Sequence, residues 1–311
     1  HPMPELDRES LVVMADYVTT EAGTGCVHTA PGHGDVDFET GLKYKLPILC
    51  PVDEQGKLTA EAGERFAGMF VFDANIPILK YLSELNMLLG KENIKHQYAH
   101  CWRCKNPIIY RATPQWFASV DGFRDDALKA IAEDVQWIPA WGQQRIHNMV
   151  SERHDWCISR QRTWGVPIPV FYCAECGEHL INDATIESVA NIFAKEGCDA
   201  WWARPAEELL PAGTVCPKCG HTHFTKETDI MDVWFDSGST HQSVVMQRPE
   251  LGQVADMYLE GSDQHRGWFM SSLMLGVAIK SVSPYKTVLT HGFTVDGQGR
   301  KMSKSIGNVV S

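Results

Sequence analysis

Two short cysteine pairs constrain this chain more than any other feature: Cys173-Ala-Glu-Cys176-Gly177 and Cys216-Pro-Lys-Cys219-Gly220. Each pair is followed by glycine, which lets backbone amides turn toward the thiolates. Four thiolates in two such knuckles suit one tetrahedral zinc ion at about 2.3 Å. Any fold must then bring the two knuckles together, and the stretch between them becomes a loop tied off by metal. Free buried thiols are the alternative. Within that loop the spacing predicts a helix over 183–195.

The ten cysteines lie in a chain of 311 residues with no secretory apolar region at its start. That usage points to a reducing, cytoplasmic setting and to metal binding rather than disulfides. Cys101-Trp-Arg-Cys104 is a third pair without an evident partner pair, for which His96 and His100 are substitute ligands. Cys26, Cys50, Cys157 and Cys198 are isolated and read as packing residues. The length accommodates two or three domains, and no run of about 20 apolar residues exists to cross a membrane. A net charge of −11 argues against a generally basic nucleic-acid binder. A local stripe of Arg153, Arg160 and Arg162 beside Trp156 and Trp164 still leaves room for phosphate contacts.

Near the other end stands Asp296-Gly-Gln-Gly299-Arg-Lys301-Met-Ser-Lys304-Ser305. Two lysines three residues apart on a glycine-flanked loop are mobile cations suited to a polyphosphate that gains charge in a transition state. Upstream, residues 256–260 read as a buried strand, Gly261-Ser-Asp263 as a turn whose aspartate caps a helix, and 265–280 as a helix packed on a sheet. A second strand-like run, 285–290, leads into His291-Gly-Phe-Thr-Val-Asp296. Carboxylate, amide and aromatic groups thus gather where strands hand over to helices, the end at which open α/β sheets bind ligands.

Lys-Met-Ser-Lys-Ser, together with Leu259-Glu-Gly-Ser-Asp-Gln-His-Arg-Gly-Trp268, Ser159-Arg-Gln-Arg-Thr-Trp-Gly-Val-Pro-Ile-Pro169 and Asp232-Val-Trp-Phe-Asp-Ser-Gly-Ser239, resembles the class I aminoacyl-tRNA synthetases, in their isoleucyl branch. The resemblance covers nearly the whole chain. It implies an α/β fold: the second half of a Rossmann-like nucleotide-binding domain, a zinc-bearing insertion and part of a β-rich editing domain. The implied boundaries are 1–95 editing, 96–172 connection, 173–224 zinc insertion and 225–311 catalytic. The His-Ile-Gly-His type motif of the class is absent, so the expectation is a central fragment, inactive alone in ATP–pyrophosphate exchange.

The resemblance further implies ATP with Mg2+, isoleucine and tRNA(Ile) as substrates, and a monomer. Glu260 and Gly261 would contact the aminoacyl-adenylate, Asp263 and Gln264 its ribose or carbonyl, and Trp268 its side chain. His291, Gly292 and Phe293 would cradle adenine, with Lys301 and Lys304 on the phosphates. Asp236 reads as part of a structural turn.

In Gly23-Thr-Gly-Cys-Val-His28-Thr-Ala-Pro31-Gly-His-Gly-Asp-Val-Asp37, His28 would contact a mischarged aminoacyl end and Asp37 its α-ammonium group. An editing pocket answers a physical need. One methylene separates isoleucine from valine and is worth roughly 1–3 kcal/mol, a value taken from this same discrimination rather than derived from the sequence. An amphipathic helix over 73–89 would close the module. The competing readings are a zinc-knuckle module that binds RNA without catalysis, and a ligase for valine or leucine.

Overall fold

The computed structural model describes residues 1–21, 23–101, 104–304 and 306–309. The chain divides into two compact units, His1–Pro114 and Gln115–Ser311.

In the first unit, α1 (Asp35–Tyr44) starts after an extended Gly34, with Asp35 and Asp37 in its first turn, where exposed N–H groups favour carboxylates. It ends at Lys45, whose left-handed backbone (φ 56°) redirects the chain. α2 (Val71–Glu84) begins two residues before the predicted 73–89 span and ends about five residues short of it, ahead of Asn86, also left-handed at φ 57°. Its buried Ala74 and the edge-on pair Phe66–Tyr81, 5.8 Å apart, anchor it. The expectation of a β-rich module meets a different arrangement. Among the described residues this unit has only isolated bridges, Val52 with Leu58, Lys57 with Phe70 and His100 with Pro107. A strand needs a neighbour's N–H and C=O groups along its length. Here the turn at Asp53, whose Oδ1 accepts from Gln55 N and Lys57 N, joins Val52 to Leu58 in a hairpin of a single bridge.

The second unit opens with β1 (Phe117–Ala118), α3 (Arg124–Glu133), β2 (Gln136–Ile138), α4 (Trp141–Ser151), β3 (Trp156–Cys157) and β4 (Ser159–Arg160). The stretch holding the cysteine knuckles follows: β5 (Phe171–Cys173), β6 (His179–Leu180), α5 (Asp183–Glu196), α6 (Ala200–Ala203), α7 (Ala206–Leu209) and β7 (Phe224–Lys226). The chain then runs through β8 (Ile230–Met231), α8 (Val233–Gly238), β9 (Ala255–Gly261), α9 (Trp268–Lys280) and β10 (Tyr285–His291).

A parallel sheet in the order β2-β10-β9 organises this unit, and α9 joins the two strands that carry the site. α9 is apolar all round and buried from Phe269 to Val277, as a helix enclosed by sheet and neighbouring helices must be. Phe269 and Leu273, fully buried in the main core with Ile131, Ile146, Val150 and Val288, each contribute about 1.5–3 kcal/mol by leaving water. Close packing depends on small residues. A Cβ on Gly238 would lie 2.9 Å from the backbone of Ser271, so α8 and α9 cross almost in backbone contact.

A separate core surrounds the knuckles: Phe171, Leu180, Val189, Trp201, Leu209 and Phe224 pack with Cys173 and Cys216. The predicted helix there is α5, held by a reciprocal cap in which Asn182 Oδ1 accepts from Thr185 N at 3.1 Å and Thr185 Oγ1 accepts from Asn182 N at 3.1 Å.

Candidate functional site

Parallel pairing sets the geometry of the strand ends. Thr290 stands beside Glu260, and His291 beside Gly261, so β9 and β10 finish at the same level. Gly261 is buried, and a Cβ there would meet Asp263 Oδ1 at 2.8 Å, Phe293 Cε1 at 3.6 Å and His291 Cε1 at 3.9 Å. Residues from both strand ends therefore close around one glycine. Glu260, Asp263, His291, Gly292 and Phe293 are exposed there, available to a ligand. His291 Nδ1 lies 2.7 Å from Gly292 O.

The turn after β9 differs from expectation in one respect. Gln264, not Asp263, caps α9: its Oε1 accepts from Trp268 N at 3.0 Å. The helix accordingly begins at Trp268 rather than at 265, after a short 3-10 turn over Ser262–His265. Trp268 is half-buried, stacked on Tyr258 with ring centres 3.9 Å apart, and donates from Nε1 to Ser237 O at 3.0 Å.

The lysine loop is a hairpin. Val295 bridges Lys301, Asp296 N donates to Arg300 O at 2.9 Å, and Met302 N donates to Thr294 O at 3.0 Å. Gly299 takes φ 75° at its tip. Lys301 Nζ sits 3.6 Å from the centre of the Phe293 ring, so the hairpin folds back onto the strand-end cluster. Lys304 is exposed. Ser305, the last residue of the motif, lies outside the described residues.

Sequence reasoning missed two groups. Asn308 Nδ2 donates to Asp296 Oδ2 at 2.8 Å, and its Oδ1 accepts from Ser303 N at 2.9 Å. Asp232, buried at the start of α8, accepts from Trp156 Nε1 and Arg160 Nη2, both at 2.9 Å, and from Trp234 N at 3.2 Å. Arg160 is thereby committed to an ion pair rather than to a free basic stripe. Asp232 and Asp236 line a cleft of about 560 Å³ with Arg162, Trp164 and Trp202. Burial, and then the charge of Asp232, push the Asp236 carboxyl up to about 6.

The four knuckle sulfurs lie within 4.8 Å of one another. Cys173 and Cys219 are 3.4 Å apart, and Cys176 and Cys216 3.6 Å. The two knuckles repeat one backbone pattern: Gly177 N donates to Cys173 O and Gly220 N to Cys216 O, both at 2.9 Å, with φ 70° and 76° at the glycines. Burial alone would raise the Cys216 thiol. The N–H groups of Cys219 and Lys218 and the neighbouring thiols outweigh it and bring Cys216 to about 6. The cluster can hold one metal ion. In the third pair, Cys104 N donates to Cys101 Sγ at 3.5 Å, while Trp102 and Arg103 lie outside the described residues.

In the first unit, Asp37 Oδ2 accepts from Ala30 N at 3.2 Å, which draws the 28–31 stretch over the first turn of α1. His28 is exposed beside it. His33 Nδ1 instead contacts Tyr110 O at 2.8 Å, a tie between loops.

A parallel sheet whose strand ends meet a dibasic hairpin defines an open α/β protein with its exposed polar groups gathered at the carboxyl ends of the strands. The family profile of the tRNA synthetases class I (I, L, M and V) matches residues 17–311, and the chain belongs to that family. It is 62% identical over 308 residues to the isoleucine–tRNA ligase of Caldicellulosiruptor saccharolyticus, spanning 99% of this chain and 33% of that protein. It is 63% identical over 307 residues to the isoleucine–tRNA ligase of Desulfitobacterium hafniense (strain DSM 10664 / DCB-2), again covering 99% of this chain and 33% of the relative. The Moorella thermoacetica ligase is 61% identical over 305 residues. The chain thus spans about a third of the length of the curated relatives it matches. Among the described residues no helix is long and apolar enough to cross a membrane.

Proposed function

We propose that this chain is the central part of an isoleucine–tRNA ligase, which activates isoleucine with ATP and transfers it to tRNA(Ile). The observation that carries the reading is the meeting of Gly261, Phe293 and Lys301 at the level ends of β9 and β10. In the reaction, the isoleucine carboxylate attacks the α-phosphate of Mg2+-bound ATP and pyrophosphate leaves. The tRNA ribose hydroxyl then attacks the activated carbonyl, the mixed anhydride breaks and AMP leaves. No covalent enzyme intermediate is needed, so orientation and charge stabilisation supply the catalysis.

Glu260 and Asp263 present acceptors to the ammonium and ribose groups of the adenylate, and the buried Gly261 lets its backbone approach. Gln264 positions the turn through its cap on α9, and Trp268 offers an apolar ring toward the isoleucine side chain. His291, Gly292 and Phe293 form the adenine side. Lys301 and Lys304 neutralise the phosphates as charge develops.

The four thiolates of Cys173, Cys176, Cys216 and Cys219 would hold zinc. A tetrahedral ion at about 2.3 Å needs sulfurs about 3.8 Å apart, close to the observed spacing. Four protein thiolates leave no open position for substrate or water, so this ion would serve the fold rather than the chemistry. The first unit supplies His28 and Asp37 to hydrolytic editing of tRNA mischarged with valine, as part of a pocket these residues do not complete by themselves.

Calorimetry with a non-hydrolysable isoleucyl-adenylate analogue tests the reading. Binding that exceeds that of the valyl and leucyl analogues, and that Glu260→Ala abolishes, is expected. Binding of RNA with no affinity for any adenylate would replace the ligase by a non-catalytic RNA module.

A further inference from the structure

We propose that Asp296 and Asn308 form a clasp that positions Lys301: together they hold the lysine loop as a hairpin and set the ammonium group over Phe293. The inference rests on the ligase reading of that loop and deepens it.

The loop has glycines at Gly297 and Gly299, open space around both, and exposed residues along most of its length. Such a segment loses backbone conformational entropy when it orders. Something must oppose that cost, and buried apolar surface is scarce here. The polar contacts converge instead on two side chains. Asp296 Oδ1 accepts from Gln298 N and Arg300 N, both at 2.9 Å, and Oδ2 accepts from Arg300 Nε at 3.0 Å and Asn308 Nδ2 at 2.8 Å. Asn308 ties the far side, accepting from Ser303 N at 2.9 Å and donating to Lys301 O at 3.3 Å.

The clasp therefore grips the backbone on both sides of the hairpin and at Lys301 itself. Asp296 remains ionised throughout: the Asn308 amide, then the backbone N–H of Arg300, bring its carboxyl to about 2. The side-chain oxygens and nitrogen of both residues are engaged within the loop. Both act through Lys301, so they are positioning residues. The amide matters as much as the charge, because only a side chain with both donor and acceptor can join Asp296 to Ser303.

The geometry also explains why Lys301 lies on Phe293 at 3.6 Å. With the hairpin fixed by Asp296, the Val295–Lys301 bridge places the lysine Cα beside the chain that leaves Phe293. The ammonium group then has a nearby π face on which to rest until a stronger anion draws it away.

The test is isoleucine-dependent ATP–pyrophosphate exchange in the complete protein, with amide hydrogen exchange over 294–303 as a second readout. Asp296→Asn and Asn308→Ala are each expected to lower kcat about 10- to 100-fold, the scale of a roughly 1 Å misplacement. KM for isoleucine and the melting temperature should stay near wild type, and the loop amides should exchange faster. In the Lys301→Ala background, Asp296→Asn should cost little more, because both changes remove one interaction. Wild-type kcat in both single variants, or losses that multiply in the double variant, would overturn the clasp. Should Lys301→Ala and Lys304→Ala retain full exchange activity, the ligase reading of the loop fails separately. The amides then decide alone, and unchanged protection in Asp296→Asn refutes the clasp.

Discussion

Asp236 lies one turn into α8 with Asp232 as its acidic neighbour, and its proton affinity records that position. The folded protein holds the proton up to about 6, against 3.8 for the unperturbed group. A carboxyl whose affinity is raised on folding favours the folded state only while protonated. Its contribution is therefore favourable at low pH, declines as pH climbs from about 4 to about 6, and is an unfavourable one at neutral pH. Asp236→Asn keeps the shape and removes the titration. The variant should gain melting temperature relative to wild type at pH 7 and lose that advantage at pH 4. An equal difference at the two pH values would mean that the carboxyl is solvated in the folded protein. Asp232, by contrast, has hydrogen-bond partners in Trp156, Arg160 and Trp234.

At the scale of elements, the crossing of α8 on α9 is the least forgiving contact near the site. A methyl group on Gly238 would stand 2.9 Å from Ser271 C, 3.0 Å from Ser271 O and 3.0 Å from Leu275 Cδ1. Two of those three atoms are backbone and cannot rotate away. Gly238→Ala should cost about 1–3 kcal/mol, the usual range for overpacking a filled core. Gly292→Ala, with nothing within 4 Å of the added methyl, should leave stability unchanged. Thermal denaturation of the two variants checks the contrast, and equal melting temperatures would show that the helices separate freely. The same elements show what a sequence reveals. β9 and β10 were legible as strands because each is a short apolar or β-branched run bounded by turn residues, although β9 is buried only at Tyr258 and Gly261 rather than along its length. The knuckles were legible because glycine after each cysteine pair is a local requirement, met at φ 70° and 76°. The start of α9 was not, since Gln264 caps it across an intervening Gly267, a choice made by side-chain geometry rather than by periodicity. Asp232 escaped notice for a different reason: Trp156 and Arg160, its partners, sit 76 and 72 positions earlier in the chain. Asn308 was hidden because a glycine-asparagine step reads as an ordinary turn until its partner is known.

At the scale of the whole molecule, the second unit holds two cores that depend on different forces. The core around α9 and β10 is built from large apolar side chains, with Phe269, Leu273 and Val288 fully buried. The core around the knuckles is smaller, and two of its members, Cys173 and Cys216, are thiols whose burial suits a metal-bound thiolate. Its strands β5, β6 and β7 contribute only two or three residues each. Short strands and a small core leave little free energy to hold the loop closed without a central ion. With the proposed zinc bound, its affinity would appear as folding free energy for this segment and not for its neighbour. A chelator added under reducing conditions should unfold residues 171–226 first, while 255–291 stay folded. Hydrogen exchange resolved by peptide would show protection lost across α5 and β5–β7 and retained in β9, α9 and β10. Cys216→Ser should reproduce that pattern without chelator, because three thiolates and a hydroxyl bind zinc far more weakly than four thiolates. Uniform loss of protection over both segments would show that the two cores fold as one cooperative body. Loss in neither, in protein proven free of metal, would show that packing of Phe171 against Trp201, with ring centres 5.0 Å apart, suffices to close the insertion.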